Sequence, residues 1–102
     1  MELIKHPKLK DIPLEQVLKA LGDPVRISVV KQLLKSPEKQ IACGTFDYDV
    51  TKATFSHHMQ ILREAGVVRT CQEGTKRMSS LRSEELNKRF PGLLQMILSA
   101  HD

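Results

Sequence analysis

The apolar positions in the first third of the chain have the spacing of two amphipathic helices. The first helical face, at the i, i+3, i+4, i+7 spacing, consists of Leu14, Val17, Leu18 and Leu21. Asp11 is the expected N-cap of this helix, and Gly22 stands where a C-cap glycine belongs. Asp23 then predicts the start of a second helix, which continues until Ser36. The two helices are therefore expected to meet at a tight corner.

The clearest helix in the sequence covers about residues 51–65. Thr51 is its expected N-cap, and Gly66 is suited to the left-handed conformation that ends many helices. The expected buried face is formed by Phe55, Met59 and Leu62. Residues 36–50, just before this helix, have no clean period, so the expectation there is a short helix or a turn.

Two β-prone runs within about residues 67–81 predict a two-stranded hairpin, or wing. The turn between them is centred on Glu73-Gly74, where glycine supplies the backbone freedom of a tight turn. Ser83 is expected to cap a last helix, which is interrupted at Pro91 and then resumes over a strongly apolar segment. That segment is too apolar to face water alone.

The order of these elements predicts the fold class. It is mainly α with a small β-hairpin, as in a winged helix-turn-helix, where helices surround a three-helix core and the long helix enters the DNA major groove. With 102 residues and no low-complexity tract, residues 1–102 are expected to form a single domain. A chain this short buries only about 60–65% of its unfolded surface, so stabilisation by a partner subunit is plausible.

Two segments resemble a known family. Residues 20–26, ALGDPVR, and residues 54–68, TFSHHMQILREAGVV, resemble the ArsR family of bacterial winged-helix transcriptional regulators. The resemblance extends over about residues 14–81. It implies a regulator, by default a repressor, that binds an inverted-repeat operator in double-stranded DNA as a homodimer.

The resemblance also implies that the first and last helices form the dimer contact. The matching apolar positions in this chain are Leu14, Val17, Leu18, Leu21, Leu93, Leu94, Ile97 and Leu98. The alternative for both stripes is packing within one chain, and each stripe is expected to contribute to both. A second subunit is also needed on geometric grounds, because half-sites about 34 Å apart are beyond the reach of one small domain.

The polar face of the long helix is the candidate DNA-contacting surface. Gln60 is suited to adenine, Arg63 to guanine or a phosphate, and Ala53 to a thymine methyl group. The wing adds cations where a hairpin would approach the DNA phosphates. The full predicted set is Lys52, Ala53, Thr54, Ser56, His57, Gln60, Arg63, Arg69, Lys76 and Arg77. The alternatives are a solvated polar face and simple solubilising charges.

Charge and chemistry add little to this picture. The 16 Lys and Arg against 12 Asp and Glu give a net charge of +4, which suits a polyanionic partner without requiring one. Cys43 and Cys71 have no second Cys or His at metal-ligand spacing, and His101 with Asp102 does not make a ligand set, so no metal or cofactor is expected. The open alternatives for an effector are a small molecule and a redox agent acting on a cysteine.

Catalysis and membrane insertion are not expected. Ser56 and His57 are adjacent on a helix and point about 100° apart, which is a poor arrangement for a nucleophile and its base. His58, on the flank of the buried side, is expected to be a hydrogen-bonded structural residue. No apolar run approaches a membrane span and no secretory signal is present, so a cytoplasmic location is expected. The remaining alternative is a winged-helix protein-interaction module without specific DNA binding.

Overall fold

A computed structural model describes residues 6–100, and His101 and Asp102, discarded as metal ligands, lie outside the described residues. Within residues 6–100 the chain forms five α-helices and three strands, with single 3-10 turns at Leu9–Asp11 and Cys43–Thr45. In chain order they are α1 Leu14–Leu21, α2 Pro24–Lys35, β1 Gln40–Ala42, α3 Lys52–Glu64, β2 Val68–Glu73, β3 Lys76–Leu81, α4 Ser83–Arg89 and α5 Leu93–Ser99.

The corner between α1 and α2 is formed as predicted. The Asp23 carboxylate accepts hydrogen bonds from the backbone N–H groups of Val25, at 2.8 Å, and Arg26, at 3.2 Å. These bonds satisfy amides that the first turn of a helix leaves unpaired. The expectation that Asp11 caps α1 is wrong, because Asp11 ends a 3-10 turn and Pro13 occupies the N-cap position. That earlier turn buries Leu9 in the core.

The sheet has a third strand that the sequence did not predict. The strand order is β1-β3-β2, with both pairs antiparallel, and Gln40 of β1 lies opposite Ser80 of the central strand β3. Of residues 36–50, only Cys43–Thr45 is a helical turn. A three-residue strand is too short to show a period, and its partner is distant in sequence.

The wing occupies residues 68–81, close to the predicted bounds. Strands β2 and β3 stay paired out to Glu73 and Lys76, and they are joined through Gly74, whose φ is +64°. On the free edge of β2, the backbone N–H of Thr70 donates to Nε2 of His6, at 3.0 Å. The hairpin therefore projects from a base that the N-terminal residues also contact.

One face of α3 packs against the core, and the C-terminal end of that helix is closely packed. Phe55, Met59 and Leu62 are buried, as predicted. Gly66 adopts a φ of +77°, also as predicted, and a Cβ at this position would lie 2.6 Å from Cδ1 of Ile12. The segment before α1 is thus pressed against the C-terminal end of α3.

The break in the C-terminal helix is where it was expected, but its start is not capped as expected. Pro91 and the left-handed Gly92, with a φ of +88°, separate α4 from α5. The prediction that Ser83 caps α4 is wrong. Arg82 occupies the N-cap position, its backbone N–H being held by the carbonyl of Val67, and the Ser83 hydroxyl is buried with no hydrogen-bond partner among residues 6–100.

The eight predicted dimer positions separate by burial. Four of them belong to the core of this chain, as the intrachain alternative held, and these are Val17, Leu21, Leu94 and Ile97. Leu93 is half-buried and packs against the same core. The positions that keep a large exposed surface are Leu14, Leu18 and Leu98, to which the structure adds Met96, 60% exposed and absent from the prediction.

Candidate nucleic-acid interface

The N-terminus of α3 is defined by a threonine pair. As predicted, Thr51 is the N-cap: its hydroxyl oxygen accepts the backbone N–H of Thr54 at 3.1 Å. The Thr51 hydroxyl also donates to the hydroxyl of Thr54, at 2.9 Å. The pair fixes the direction in which the first turn of α3 leaves the preceding loop, and both side chains remain exposed.

Three further residues, which sequence reasoning did not single out, hold the loop before α3. The side-chain amide of Gln32 accepts the backbone N–H of Asp47 at 2.9 Å and donates to its carbonyl at 2.8 Å. Tyr48 stacks on Phe55 with ring centroids 3.8 Å apart, and Phe46 packs on the same ring at 5.6 Å. The spacing of two aromatic residues in an aromatic-poor chain was a signal for this packing, whereas Gln32 gave none.

The predicted DNA-contacting positions of α3 share its solvent side. Phe55, Met59 and Leu62 face the core, and the opposite side is polar. The predicted positions that are exposed are Lys52, Ala53, Thr54, Ser56, His57 and Gln60. Arg63 is half-buried at the end of this face. We call these seven residues the α3 outer face.

Two side chains of the α3 outer face have contacts that bear on DNA binding. Gln60 donates from Nε2 to Oε2 of Glu64, at 3.1 Å, in an exposed hydrogen bond that a base edge can replace. Partial burial is the main cause that lowers the pKa of Arg63, and the nearby positive charge of Arg77 is the second cause. An anion beside both guanidinium groups would relieve this repulsion, which is the electrostatic requirement of a phosphate contact.

The wing does not bring its three predicted cations together. Alternate residues of a strand point to opposite faces, so Arg77 lies on the face that carries buried Ser79, and Lys76 lies on the other. Arg69 is at the base of the hairpin, where its Nη2 is 3.2 Å from Oε1 of Glu85. Arg77 is therefore the wing cation closest in position to the α3 outer face, and Arg69 is engaged elsewhere.

His58 joins the two helices of the corner to α3. Its Nδ1 lies 2.9 Å from Nη1 of Arg26 and 3.8 Å from the carboxylate of Asp23, and its side chain is only 12% exposed. Arg26 also donates from Nε to the carbonyl of Ala20, at the end of α1. The expectation that His58 is a hydrogen-bonded structural residue is confirmed, while His57 next to it is exposed.

The remaining candidate groups are the possible metal ligands and the two cysteines. Among residues 6–100, no three His, Cys, Asp or Glu side chains converge on a point that would hold a metal ion. Both cysteines are free thiols, and Sγ of Cys43 lies 3.3 Å from the hydroxyl of Ser79. No helix in this part of the chain has the length and apolar character needed to cross a bilayer.

Comparisons with known proteins all identify helix-turn-helix domains or transcriptional regulators as similar to this chain. The model of a helix-turn-helix domain family matches residues 21–71. An HTH-type transcriptional regulator of Bacillus subtilis, YceK, is 32% identical over 84 residues, covering 80% of this chain and 83% of the relative. The arsenical resistance operon repressor of the same organism is 30% identical over 73 residues, covering 72% of this chain and 70% of that repressor. A crystal structure of an ArsR family transcriptional regulator superposes with a TM-score of 0.65 over 96% of this chain and all of that one, at 19% identity.

Proposed function

This chain belongs to the ArsR family of winged helix-turn-helix transcriptional regulators, and on that premise we propose that it is a repressor that binds an inverted-repeat operator as a homodimer. Family membership makes it a DNA-binding regulator of transcription, and such regulators are not enzymes. The proposal adds the residues that contact DNA, the symmetry of the assembly and the sign of regulation.

The observation that carries the proposal is the α3 outer face. It is a polar surface on a helix whose other side is fixed in the core and whose N-terminus is capped by Thr51. The N-terminal half of a recognition helix meets the base edges, which assigns Ala53, Ser56 and His57 to the deepest positions in the major groove. Gln60 pairs with adenine by a bidentate contact once it leaves Glu64.

The backbone contacts in this proposal come from the end of α3 and from the wing. Arg63 and Arg77, whose cations are close enough to affect each other, bind one stretch of phosphates. Lys76 contacts phosphate from the other face of the wing, next to the turn. Lys52 and Thr54 contact the backbone where α3 begins, because helix N-termini favour phosphate oxygens.

The homodimer in this proposal uses the apolar surface that α1 and α5 leave exposed. Both helices pack against α2, and each keeps large apolar side chains in solvent: Leu14 and Leu18 on α1, Met96 and Leu98 on α5. Exposed apolar surface of this kind is a usual mark of a protein interface. A two-fold pair of subunits would present two α3 helices to two half-sites.

Selection of binding sites from random duplex DNA tests the proposal directly. The expected product is an inverted repeat whose half-sites are about one helical turn, or 34 Å, apart. A variant with Gln60→Ala and Arg63→Ala, carried through the same selection, should recover no such repeat. If the unaltered protein also enriches no sequence, specific DNA binding fails and a protein-interaction module becomes the better account.

A salt titration tests the phosphate contacts separately. If a dimer makes about six of them, affinity should fall about a thousandfold between 50 and 200 mM salt. An affinity that changes less than tenfold over this range would contradict the assignment of Arg63, Lys76 and Arg77 to phosphates.

A further inference from the structure

A basic groove lies on the side of the molecule where the N-terminal segment, β2 and α4 meet. Its volume is about 670 Å³, and His6 and Leu9 of the N-terminal segment form part of its wall. Six of its lining residues are lysines or arginines: Lys8, Lys10, Arg69, Arg82, Lys88 and Arg89. One carboxylate, that of Glu85, faces them in the lining.

That carboxylate is fully occupied by two of the six cations. Arg82, which is 5% exposed, donates from Nη2 to Oε2 of Glu85 at 2.7 Å and from Nε to Oε1 at 3.2 Å. Arg69 donates to the same Oε1. Hydrogen bonding from Arg82 lowers the pKa of Glu85, so the carboxylate stays ionised at neutral pH. One negative charge therefore serves two guanidinium groups.

The other four cations have no anionic partner among residues 6–100. Arg89 donates from Nη1 to the carbonyl of Leu9, which orders the side chain without neutralising it. Lys8, Lys10 and Lys88 are exposed, and their ammonium groups have no hydrogen bond or ion pair within the described chain. The groove thus combines guanidinium groups held by hydrogen bonds with exposed ammonium groups.

The groove is beside the C-terminal end of α3, away from the N-terminal half of this helix that is assigned to the base edges. A Cβ on Gly66, just past α3, would be 2.7 Å from Leu9 and 3.6 Å from Nη1 of Arg82, both of which line the groove. A recognition helix meets base edges with its N-terminal residues, and the 13 residues of α3 span about 20 Å at 1.5 Å per residue. Arg69 also points from the face of β2 opposite to that of Arg77.

We propose that this groove binds a small anion that carries at least two negative charges, as phosphate or carboxylate groups. Two charges are needed because the uncompensated cations come from both walls, Lys8 and Lys10 from the N-terminal segment and Lys88 with Arg89 from α4. The alkyl stems of these side chains make the lining suitable for an organic anion.

Calorimetric titration of the full chain with pyrophosphate and with citrate tests the proposal without DNA. The test variant carries Lys8→Gln and Lys88→Gln, and a matched control carries Lys19→Gln and Lys35→Gln, which removes two exposed charges outside the groove. We expect saturable binding of at least one anion at one site per chain, weakened about tenfold or more in the test variant. In the control, affinity should change less than about twofold at 0.15 M salt, because distant exposed charges are screened.

Two results would overturn the proposal. The first is the absence of saturable binding of both anions by the unaltered chain, and the second is an equal loss of affinity in the two double variants, which would indicate a general effect of net charge. DNA binding by the same two variants identifies the other source of phosphate. If the unaltered chain binds neither anion and the test variant has a shallower salt dependence of DNA binding than the control, the groove is a DNA-backbone surface and not a small-anion site.

Discussion

Nη1 of Arg26 lies 2.9 Å from Nδ1 of His58, a hydrogen bond that connects the start of α2 to the buried flank of α3. Arg26 is always protonated and can only donate, so Nδ1 of His58 must carry the lone pair. The same arginine donates to the carbonyl of Ala20, and Asp23 accepts from its backbone N–H. One side chain thus sets the position of α3 relative to the corner of α1 and α2.

His58→Ala should therefore destabilise the protein, whereas His57→Ala should not. Loss of the acceptor leaves a half-buried guanidinium N–H unpaired, which costs about 1–3 kcal/mol of unfolding free energy. His57, the adjacent residue, is exposed and provides a matched control for stability. Urea unfolding of both variants measures the difference. Equal stabilities would mean that the Arg26 contact contributes nothing to the position of α3.

Arg77→Ala should weaken DNA binding through salt-sensitive contacts, and Arg69→Ala should leave it nearly unchanged. Arg77 is close enough to Arg63 to lower its pKa, whereas Arg69 is paired with Glu85 at the base of the wing. Loss of one phosphate contact per subunit should reduce the slope of log K against log salt by about one for each subunit bound. Fluorescence anisotropy across a range of salt measures both slopes. A larger effect of Arg69→Ala than of Arg77→Ala would reverse the assignment.

Gly66→Ala should cost more stability than Gly74→Ala. Both glycines have positive φ, +77° and +64°, so a side chain at either position incurs the strain of the left-handed region, about 1–2 kcal/mol. At Gly66 the new Cβ also meets Cδ1 atoms of Ile12 and Leu9 at 2.6 and 2.7 Å, in side chains that are only 4% exposed, while Gly74 has open space. Overpacking of this kind adds about 1–3 kcal/mol. Thermal or urea unfolding of the pair isolates the added cost, and equal losses would show that the core near Ile12 yields freely.

Met96→Glu should convert the proposed dimer to a folded monomer. Met96 is 60% exposed in the single chain, so a carboxylate there costs the fold little, but it is expensive inside an apolar interface. Gln95→Glu adds the same charge at the neighbouring exposed position of α5 and serves as the control. Sedimentation velocity gives the mass of each variant, with circular dichroism as the check of folding. A dimer that survives Met96→Glu would place the interface elsewhere.

The stability of the chain should decrease as the pH falls below about 6.5, the ordinary pKa of histidine. Burial, and then the charges of Arg69 and other arginines, lower the pKa of His6, whose Nε2 accepts the N–H of Thr70. Above pH 6.5 the histidine is neutral in both the folded and the unfolded states and the full stabilisation is present. As the pH falls below that value, the unfolded chain takes up the proton before the folded chain does, so the free energy of unfolding decreases. The decrease ends once the pH is below the lowered pKa of the folded state.

His6→Gln isolates this effect, because glutamine does not titrate and still offers an acceptor. The difference in unfolding free energy between the unaltered chain and the variant should decrease steadily from pH 7.5 to pH 5. Parallel curves over that range would show that His6 has no part in the acid sensitivity. The carboxyl groups of Asp23 and Glu85, whose pKa values are also lowered, act at more acidic pH.

Local sequence signals were sufficient for the elements that are stabilised locally. Asp23, Thr51 and Gly66 each act within one helical turn, so their caps and the bounds of α2 and α3 followed from residue type and spacing. Strand β1 was missed because its pairing with β3 joins distant residues of the chain, such as Gln40 and Ser80. The ion pair of Arg69 with Glu85 could not be predicted for the same reason, since Glu85 belongs to another element.

The structure was also needed to tell which residues of the apolar stripes are buried within the chain and which remain exposed. An apolar stripe such as that of α1 predicts that one face of the helix is buried. It does not predict whether that face packs against the same chain or against a partner subunit. Val17 is fully buried by neighbours from the same chain, whereas Leu18 next to it remains half exposed. Residue type cannot separate two such positions, because both are aliphatic and adjacent.

The contact between His6 and Thr70 has a consequence for the behaviour of the protein in concentrated solution. Strand β2 is an edge of the sheet, and its outward N–H and C=O groups form a template to which a strand of another molecule can add. His6 covers that edge at Thr70, and the charged side chains of Arg69 and Glu73 make adjacent positions unfavourable for strand addition. Removal of the segment ahead of Pro7 would expose this template, and the shortened chain would then be prone to aggregate edge to edge.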